Sequence, residues 1–183
     1  MPERSSLRSV RYGLLCACLT LLYGFGLGGA FGAAEESIKG GLQADADAVM
    51  DVVYQGDATK QAEVTSKAWS YLKRAHLHAN GIGTTAVALC LLLAWGLPLL
   101  DERIKTGASL GLGLGGLGYS CYWLLAGLRA PGLGSTHDAK ESLDWLAIPS
   151  AGLATLGVVV TLGALVHSAF VAGKNDKPEP EAL

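Results

Sequence analysis

Long apolar runs alternate with short polar segments along this chain, and the runs set its architecture. Four runs contain no Asp, Glu, Lys or Arg, and they cover residues 12–34, 76–100, 106–128 and 145–172. A helix needs about 20 mostly apolar residues to cross a bilayer core of about 30 Å. We therefore predict an all-α, integral membrane protein in which one domain forms an antiparallel four-helix bundle.

The longest polar segment, residues 35–75, separates the first two runs. Its apolar residues lie near one face of a helical period, namely Ile38, Leu42, Val49 and Val53. This spacing predicts an amphipathic helical segment on the outer face, either along the membrane surface or capping the bundle. Gly56 should break it, and a second helix should begin near Asp57 or Thr59 and continue into the second run.

The first run resembles a secretory signal in its basic start and in the small residues before Glu35. It is longer than the apolar core of about 7–15 residues that signals use. Gly24, Gly28 and Gly32 also recur every fourth residue, which is typical of a helix face that packs closely. We favour a retained span over a cleaved signal.

Basic residues fix the expected orientation. Arg4, Arg8 and Arg11 precede the first run, and the turn before the third run contains Arg103 and Lys105. The positive-inside rule then predicts a multi-pass protein of the cell inner membrane with both termini cytoplasmic. Residues 174–183 are polar and contain two prolines, so we predict a disordered cytoplasmic tail.

Composition narrows the class of protein. Only 16% of the residues are charged and 50% are hydrophobic, whereas an ordinary soluble domain has about 25% charged residues. The formal net charge of -2 and the lack of a basic stripe give no sign of a nucleic-acid partner. All four cysteines fall inside the apolar runs, so we predict no disulfide framework.

The third run is rich in glycine. It contains the G-x-G-x-x-G spacing, but no strand precedes it, and a dinucleotide site requires one. Gly107, Gly111 and Gly115 instead form a four-residue ladder that lets another helix approach closely. This glycine density indicates tight association, so we expect a homo-oligomer or a larger membrane complex.

Polar groups gather at the outer ends of the runs. Imidazoles and carboxylates together suit iron, zinc or copper, and the candidate metal ligands are His76, His78, Glu35, Glu36 and His137. His76, His78 and Asn80 are the candidate cofactor-binding set. On a regular helix His76 and His78 point about 200° apart, whereas His76 and Asn80 share a face.

Haem b is the alternative cofactor for histidines in a helical bundle. His167 lies at the opposite end of the runs from His76, so the two cannot hold one haem within a subunit. A second ligand would have to come from His137, from another subunit or from a residue other than histidine.

Three functions remain open from the residues alone. The first is a small subunit of a bacterial redox or metal-handling system that binds metal or haem through the His-x-His pair and a neighbouring carboxylate. The second is a non-catalytic scaffold or anchor that assembles through glycine-rich faces, and the third is a module that binds quinone or lipid. No set of nucleophile, base and orienting residue appears, so we expect no stand-alone enzyme.

Overall fold

The computed structural model describes residues 3–97 and 100–170, with side chains described from residue 7 onward. Of these described residues 93% are helical, and no strand occurs within these ranges. In chain order the helices are α1 (Glu3–Asp47), α2 (Ala58–Leu91), α3 (Glu102–Leu133), the short α4 (Thr136–Glu141) and α5 (Asp144–Phe170). The π-helical turns Met50–Tyr54 and Leu92–Gly96 follow α1 and α2. The predictions for the Arg4 side chain and for residues 174–183 lie outside the described residues.

Consecutive long helices run antiparallel, since the contacts between them run in opposite chain order. The pairs are Gly24 with Asn80 and Gly28 with His76, Gly116 with Ile82 and Gly127 with Leu72, and Gly111 with Leu153 and Gly118 with Ser150. α3 packs against α1, α2 and α5, whereas the main partner of α5 is α3. The described helices therefore form a three-helix core with α5 attached along α3. The predicted all-α class is confirmed, and the four-helix bundle stays a prediction.

The glycines of α3 explain its central position. A Cβ atom on Gly115 would lie 2.5 Å from the backbone nitrogen of Ala154 on α5, and one on Gly113 would lie 2.3 Å from the Gly13 carbonyl oxygen on α1. Such distances leave no room for any side chain, so the backbones touch. The close-packing prediction is confirmed for Gly111 and Gly115, whose neighbours lie on α5 of the same chain, while Gly107 faces open space.

The segment that begins at residue 35 is helical, as predicted. A kink at Ala34, whose angles are not helical (φ -137°, ψ 26°), separates the apolar length of α1 from the helical residues that continue to Asp47. The kink thus lies at the boundary between the apolar run and the polar segment. The far end of α1 pairs with α2, since the Gln61 amide donates to the Asp47 carboxylate at 2.7 Å. We call residues 35–75 together with α4 the head.

Small residues and one tyrosine hold the head together. Its core consists of Leu42, Ala46, Tyr54, Val64, Ala68, Leu72, Ala130 and Ala139. The buried Tyr54 hydroxyl donates to the Pro131 carbonyl oxygen at 2.7 Å, which ties the turn after α1 to the last turn of α3. The predicted cap at Asp57 is confirmed, because its carboxylate accepts from the Lys60 backbone N–H at 2.9 Å.

Three helices are long and apolar enough to cross a membrane, namely Leu7–Asp47, Ala58–Gly96 and Asp144–Phe170. α3 is absent from this set because its glycines lower its hydropathy. Large apolar side chains stay exposed on α5, including Trp145, Ile148, Leu156, Val159 and Phe170. A continuous apolar surface of this kind marks contact with lipid or with another protein.

Candidate functional site

His76 joins α2 to α1. Its Nδ1 atom lies 2.8 Å from the carbonyl oxygen of Gly24. The Asn80 amide nitrogen lies 3.1 Å from the same Nδ1. A carbonyl can only accept, so in the tautomer that makes the shorter bond, to Gly24, Nδ1 carries the proton and Nε2 keeps its lone pair. The Asn80 amide nitrogen, 3.1 Å from the His76 carbonyl oxygen, donates to that oxygen. His76 and Asn80 thus share a face, as predicted, and that face meets α1.

Two glycines of α1 make the space for these side chains. A Cβ on Gly28 would lie 2.6 Å from His76 Cε1, and one on Gly24 would lie 2.8 Å from Asn80 Oδ1. The four-residue repeat on α1 therefore creates a cradle for an imidazole and an amide. Gly32, the third member of the repeat, faces open space.

His78 points elsewhere, towards α3. Its ring centroid lies 5.2 Å from that of Tyr119 and 6.0 Å from that of Trp123. α2 is regular through both histidines, so the predicted divergence of their rings is confirmed. The structure does not bring the two imidazoles to one point.

Arg74 completes the aromatic group around His78. Its guanidinium carbon lies 4.4 Å from the Trp123 ring centroid and 5.6 Å from that of Tyr71, within the distance at which a cation is attracted to an aromatic face. Sequence reasoning missed this group. The available signal was the spacing of Arg74 and His78, which at i and i+4 share one helix face.

Glu35 and Glu36 form ion pairs within the head. Both carboxylates lie near the Lys39 ammonium group, at 2.5 Å and 3.6 Å. Glu35 is seven residues beyond Gly28, which is about 10 Å along a helix axis. The structure therefore does not place either carboxylate beside His76.

His137 lies on α4 with two acidic neighbours. Its Nδ1 is 3.5 Å from an Asp138 carboxylate oxygen and 3.6 Å from one of Glu141. Among the described residues, these three form the only group of three or more potential ligands within 4.8 Å of one another. All three side chains are exposed, and exposed acidic groups of this kind are common without any ion.

Two buried polar atoms near the histidines lack a hydrogen-bond partner among the described residues: Asn80 Oδ1 and Trp123 Nε1. Each costs free energy in an apolar setting. They belong to different groups, since Asn80 faces α1 and Trp123 packs beside His78.

His167 is exposed near the other end of α5, which agrees with its predicted separation from His76.

The arrangement thus divides into two interhelical contacts, one polar and one aromatic. Neither contains a nucleophile activated by a base.

No protein-family model matches the chain, and neither a curated protein nor a solved structure shows significant similarity to it. Its function must therefore be argued from its own geometry.

Proposed function

We propose that the protein is a multi-pass protein of the cell inner membrane and acts as a non-catalytic scaffold that holds a stiff helical head outside the bilayer. The observation that carries this proposal is the path of α1 and α2. Both helices pass from an apolar, charge-free length into the head and remain paired there. Lipid would cover the apolar faces of α1 and α5.

All four long helices cross the bilayer in this proposal, including the glycine-rich α3. Between Lys105 and Arg129 it carries no charged residue. It packs against α1, α2 and α5, so it must extend through the same depth as they do. The neighbouring helices shield it from lipid, and low hydropathy is therefore compatible with its place in the membrane.

The polar groups at membrane depth support a structural role. A polar group in lipid is costly unless it is partnered, and the His76 and Asn80 side chains donate to the backbones of α1 and α2. The glycine face of α3 is occupied by α5. Assembly with other copies or with a larger complex would use the exposed faces of α1 and α5, or the head.

Labelling of single cysteines tests the membrane arrangement. In a chain whose four cysteines are replaced by alanine, Lys67→Cys reports on the head and Ile104→Cys reports on the first turn of α3. A membrane-impermeant maleimide applied to spheroplasts should label Lys67→Cys alone, and lysis should expose Ile104→Cys. The reverse order would reverse the orientation, and release of the protein by alkaline carbonate would refute membrane insertion.

A metal- or haem-binding redox subunit is the second candidate, and one observation favours it. When Nδ1 of a ligand histidine donates to a backbone carbonyl, Nε2 is oriented and free for a metal, and His76 has this hydrogen bond. The candidate groups are haem b, iron, copper or zinc. Of the originally predicted ligands, this arrangement uses His76 and no carboxylate.

Metal analysis and a visible spectrum separate the two candidates. The detergent-purified protein should be colourless and free of stoichiometric metal if it is a scaffold, and His76→Ala should lower only its thermal stability. A Soret band or bound metal that is present in the wild type and in His167→Ala, and is lost in His76→Ala, would establish the redox subunit instead. Solvent extraction of the same sample that yields stoichiometric quinone would support the third alternative, a quinone-binding module.

A further inference from the structure

A basic hollow lies between the N-terminal parts of α1 and α3. Its volume is about 830 Å³, and three of its lining residues are arginines: Arg8, Arg11 and Arg103. The wall also includes Tyr12, Thr106 and Gly107. We call this surface the basic hollow. It lies directly before the charge-free parts of the two helices, at the end that the proposed topology places in the cytoplasm.

The positive charge of the basic hollow is not compensated by its own wall. Its one carboxylate, Glu102, accepts from the Lys105 ammonium at 3.0 Å, and the Lys105 side chain is only 2% exposed. Lys105 thus balances Glu102. Among the described side chains, no carboxylate lies within 4.0 Å of the three guanidinium groups.

The hollow is also shaped by direct contacts. The Thr106 hydroxyl lies between two acceptors, the Ser9 carbonyl oxygen of α1 at 2.9 Å and the Glu102 carbonyl oxygen of its own helix at 2.8 Å, so α1 and α3 are in contact in the wall of the hollow. Gly107 has open space where a side chain would point. Arg11 Nη2 donates to the Tyr12 hydroxyl at 3.1 Å, and its guanidinium lies over the Tyr12 ring, which orders one of the three cations.

We propose that the basic hollow binds a phosphate group, and specifically the headgroup phosphate of an anionic phospholipid in the cytoplasmic leaflet. Guanidinium groups donate two parallel hydrogen bonds to phosphate oxygens, and basic pockets between membrane helices suit anionic headgroups. The half-exposed Tyr12 ring lies on the membrane side, where a glycerol backbone would rest. This inference depends on the proposed membrane insertion. Inorganic phosphate offers the same oxygens, so the experiment must separate the two sources.

Native mass spectrometry of the full chain in detergent tests the site, with phosphatidylglycerol, phosphatidylcholine and inorganic phosphate as separate probes. Each basic residue near an anionic surface contributes about fivefold in affinity, so the triple variant Arg8→Gln/Arg11→Gln/Arg103→Gln should bind phosphatidylglycerol about a hundredfold more weakly. The matched control, Lys60→Gln/Lys67→Gln/Lys140→Gln, removes the same charge from the head and should bind as the wild type does.

A second pair of variants keeps every charge. Gly107→Leu fills the hollow and should also lose phosphatidylglycerol, whereas Gly29→Leu, another glycine beside open space, should not. This pair keeps the test valid if removal of the arginines disturbs folding or orientation.

The outcomes are distinct. If the protein binds phosphatidylglycerol and does not bind inorganic phosphate, the lipid assignment is supported. If inorganic phosphate binds equally tightly, the site binds the free ion and the lipid assignment is overturned. Unchanged phosphatidylglycerol binding in both Gly107→Leu and the arginine variant overturns the site, as does equal binding of phosphatidylcholine. Carbonate extraction of wild-type membranes runs in parallel, so a failed site is distinguished from a failed membrane assignment.

Discussion

α3 and α5 differ in a way that reverses the usual relation between hydropathy and burial. Fifteen of the 32 residues of α3 are buried. Five of these are glycines, namely Gly111, Gly113, Gly115, Gly116 and Gly127. Only three of the 27 residues of α5 are buried. Yet α5 is apolar enough to cross a membrane by composition, and α3 is not.

In the proposed membrane setting, this difference follows from how helices pack in lipid. In water, apolar side chains collect in the interior, but lipid is itself apolar and gives no such drive. Helices then pack where their backbones can approach closely, which requires small residues. α3 is central because its glycines let neighbouring backbones approach closely, and α5 is peripheral because its large side chains point outward.

The largest expected effect comes from filling the contact between these two helices. Gly115→Leu places side-chain atoms where the α5 backbone lies, so α5 must move away, and we expect a loss of about 3 kcal/mol. Gly152→Leu, on α5 beside open space, should change stability little. Thermal unfolding in detergent by circular dichroism measures both, and equal stability of the two variants would refute the α3–α5 packing.

Truncation of one leucine on each helix gives the next effect. Leu112 of α3 is 2% exposed and Leu156 of α5 is 60% exposed. Leu112→Ala should cost about 2 kcal/mol because it leaves a cavity, whereas Leu156→Ala should cost less than about 0.5 kcal/mol. Chemical unfolding in mixed micelles compares them. A larger loss for Leu156→Ala would mean that another protein, and not lipid, covers α5.

The hydrogen bond from Tyr54 to the last turn of α3 gives a smaller expected effect on stability. Tyr54→Phe removes the hydrogen bond to Pro131 and should cost about 1 kcal/mol. Burial raises the pKa of Tyr54 above its ordinary value. The folded state therefore holds this proton more tightly than the unfolded state, and stability should fall as pH rises above about 10.

This alkaline loss should be smaller in Tyr54→Phe than in the wild type. Amide hydrogen exchange of the head across that pH range measures it, with Tyr12→Phe as the control. An identical loss in Tyr54→Phe would assign the pH dependence to another group.

The first turn of α3 should give the smallest effect. The hydrogen bond from Lys105 lowers the pKa of the Glu102 carboxyl. The stability that the ionised carboxylate contributes is therefore fully present above the ordinary carboxyl pKa, and it is lost as pH falls through the lowered pKa of the folded state. Because Glu102 is mostly exposed, Glu102→Gln should cost less than about 1 kcal/mol. Thermal unfolding at neutral pH checks this, and a loss of several kcal/mol would show that Lys105 depends on Glu102 alone.

Local patterns predicted much of the fold. The runs without charge predicted the long helices, and Gly56 and Asp57 marked the start of α2. The change to polar composition after Ala34 marked the kink in α1, but the pairing of residues 35–47 with α2 rests on contacts such as Gln61 with Asp47, which are distant along the chain. The position of α5 depends on contacts with α3 that no local window contains.

The candidate site was predictable only in part. Helical spacing places His76 with Asn80 and separates His76 from His78, and both relations are observed. Spacing within α2 cannot identify which neighbouring helix each face meets, so the contact of His76 with Gly24 and that of His78 with Tyr119 were not foreseen. Binding of a metal or cofactor by these residues stays a prediction.

The single non-helical residue of α1, Ala34, has a mechanical consequence. A bend confined to Ala34 would tilt the outer half of α1, but α2 beside it is continuous from Ala58 to Leu91. Tilting the head would therefore require α2 to bend as well, or the Asp47–Gln61 contact to break. The two helices are thus mechanically coupled, so in the proposed membrane arrangement a force on the head would also act on the part of α2 that lies in the bilayer.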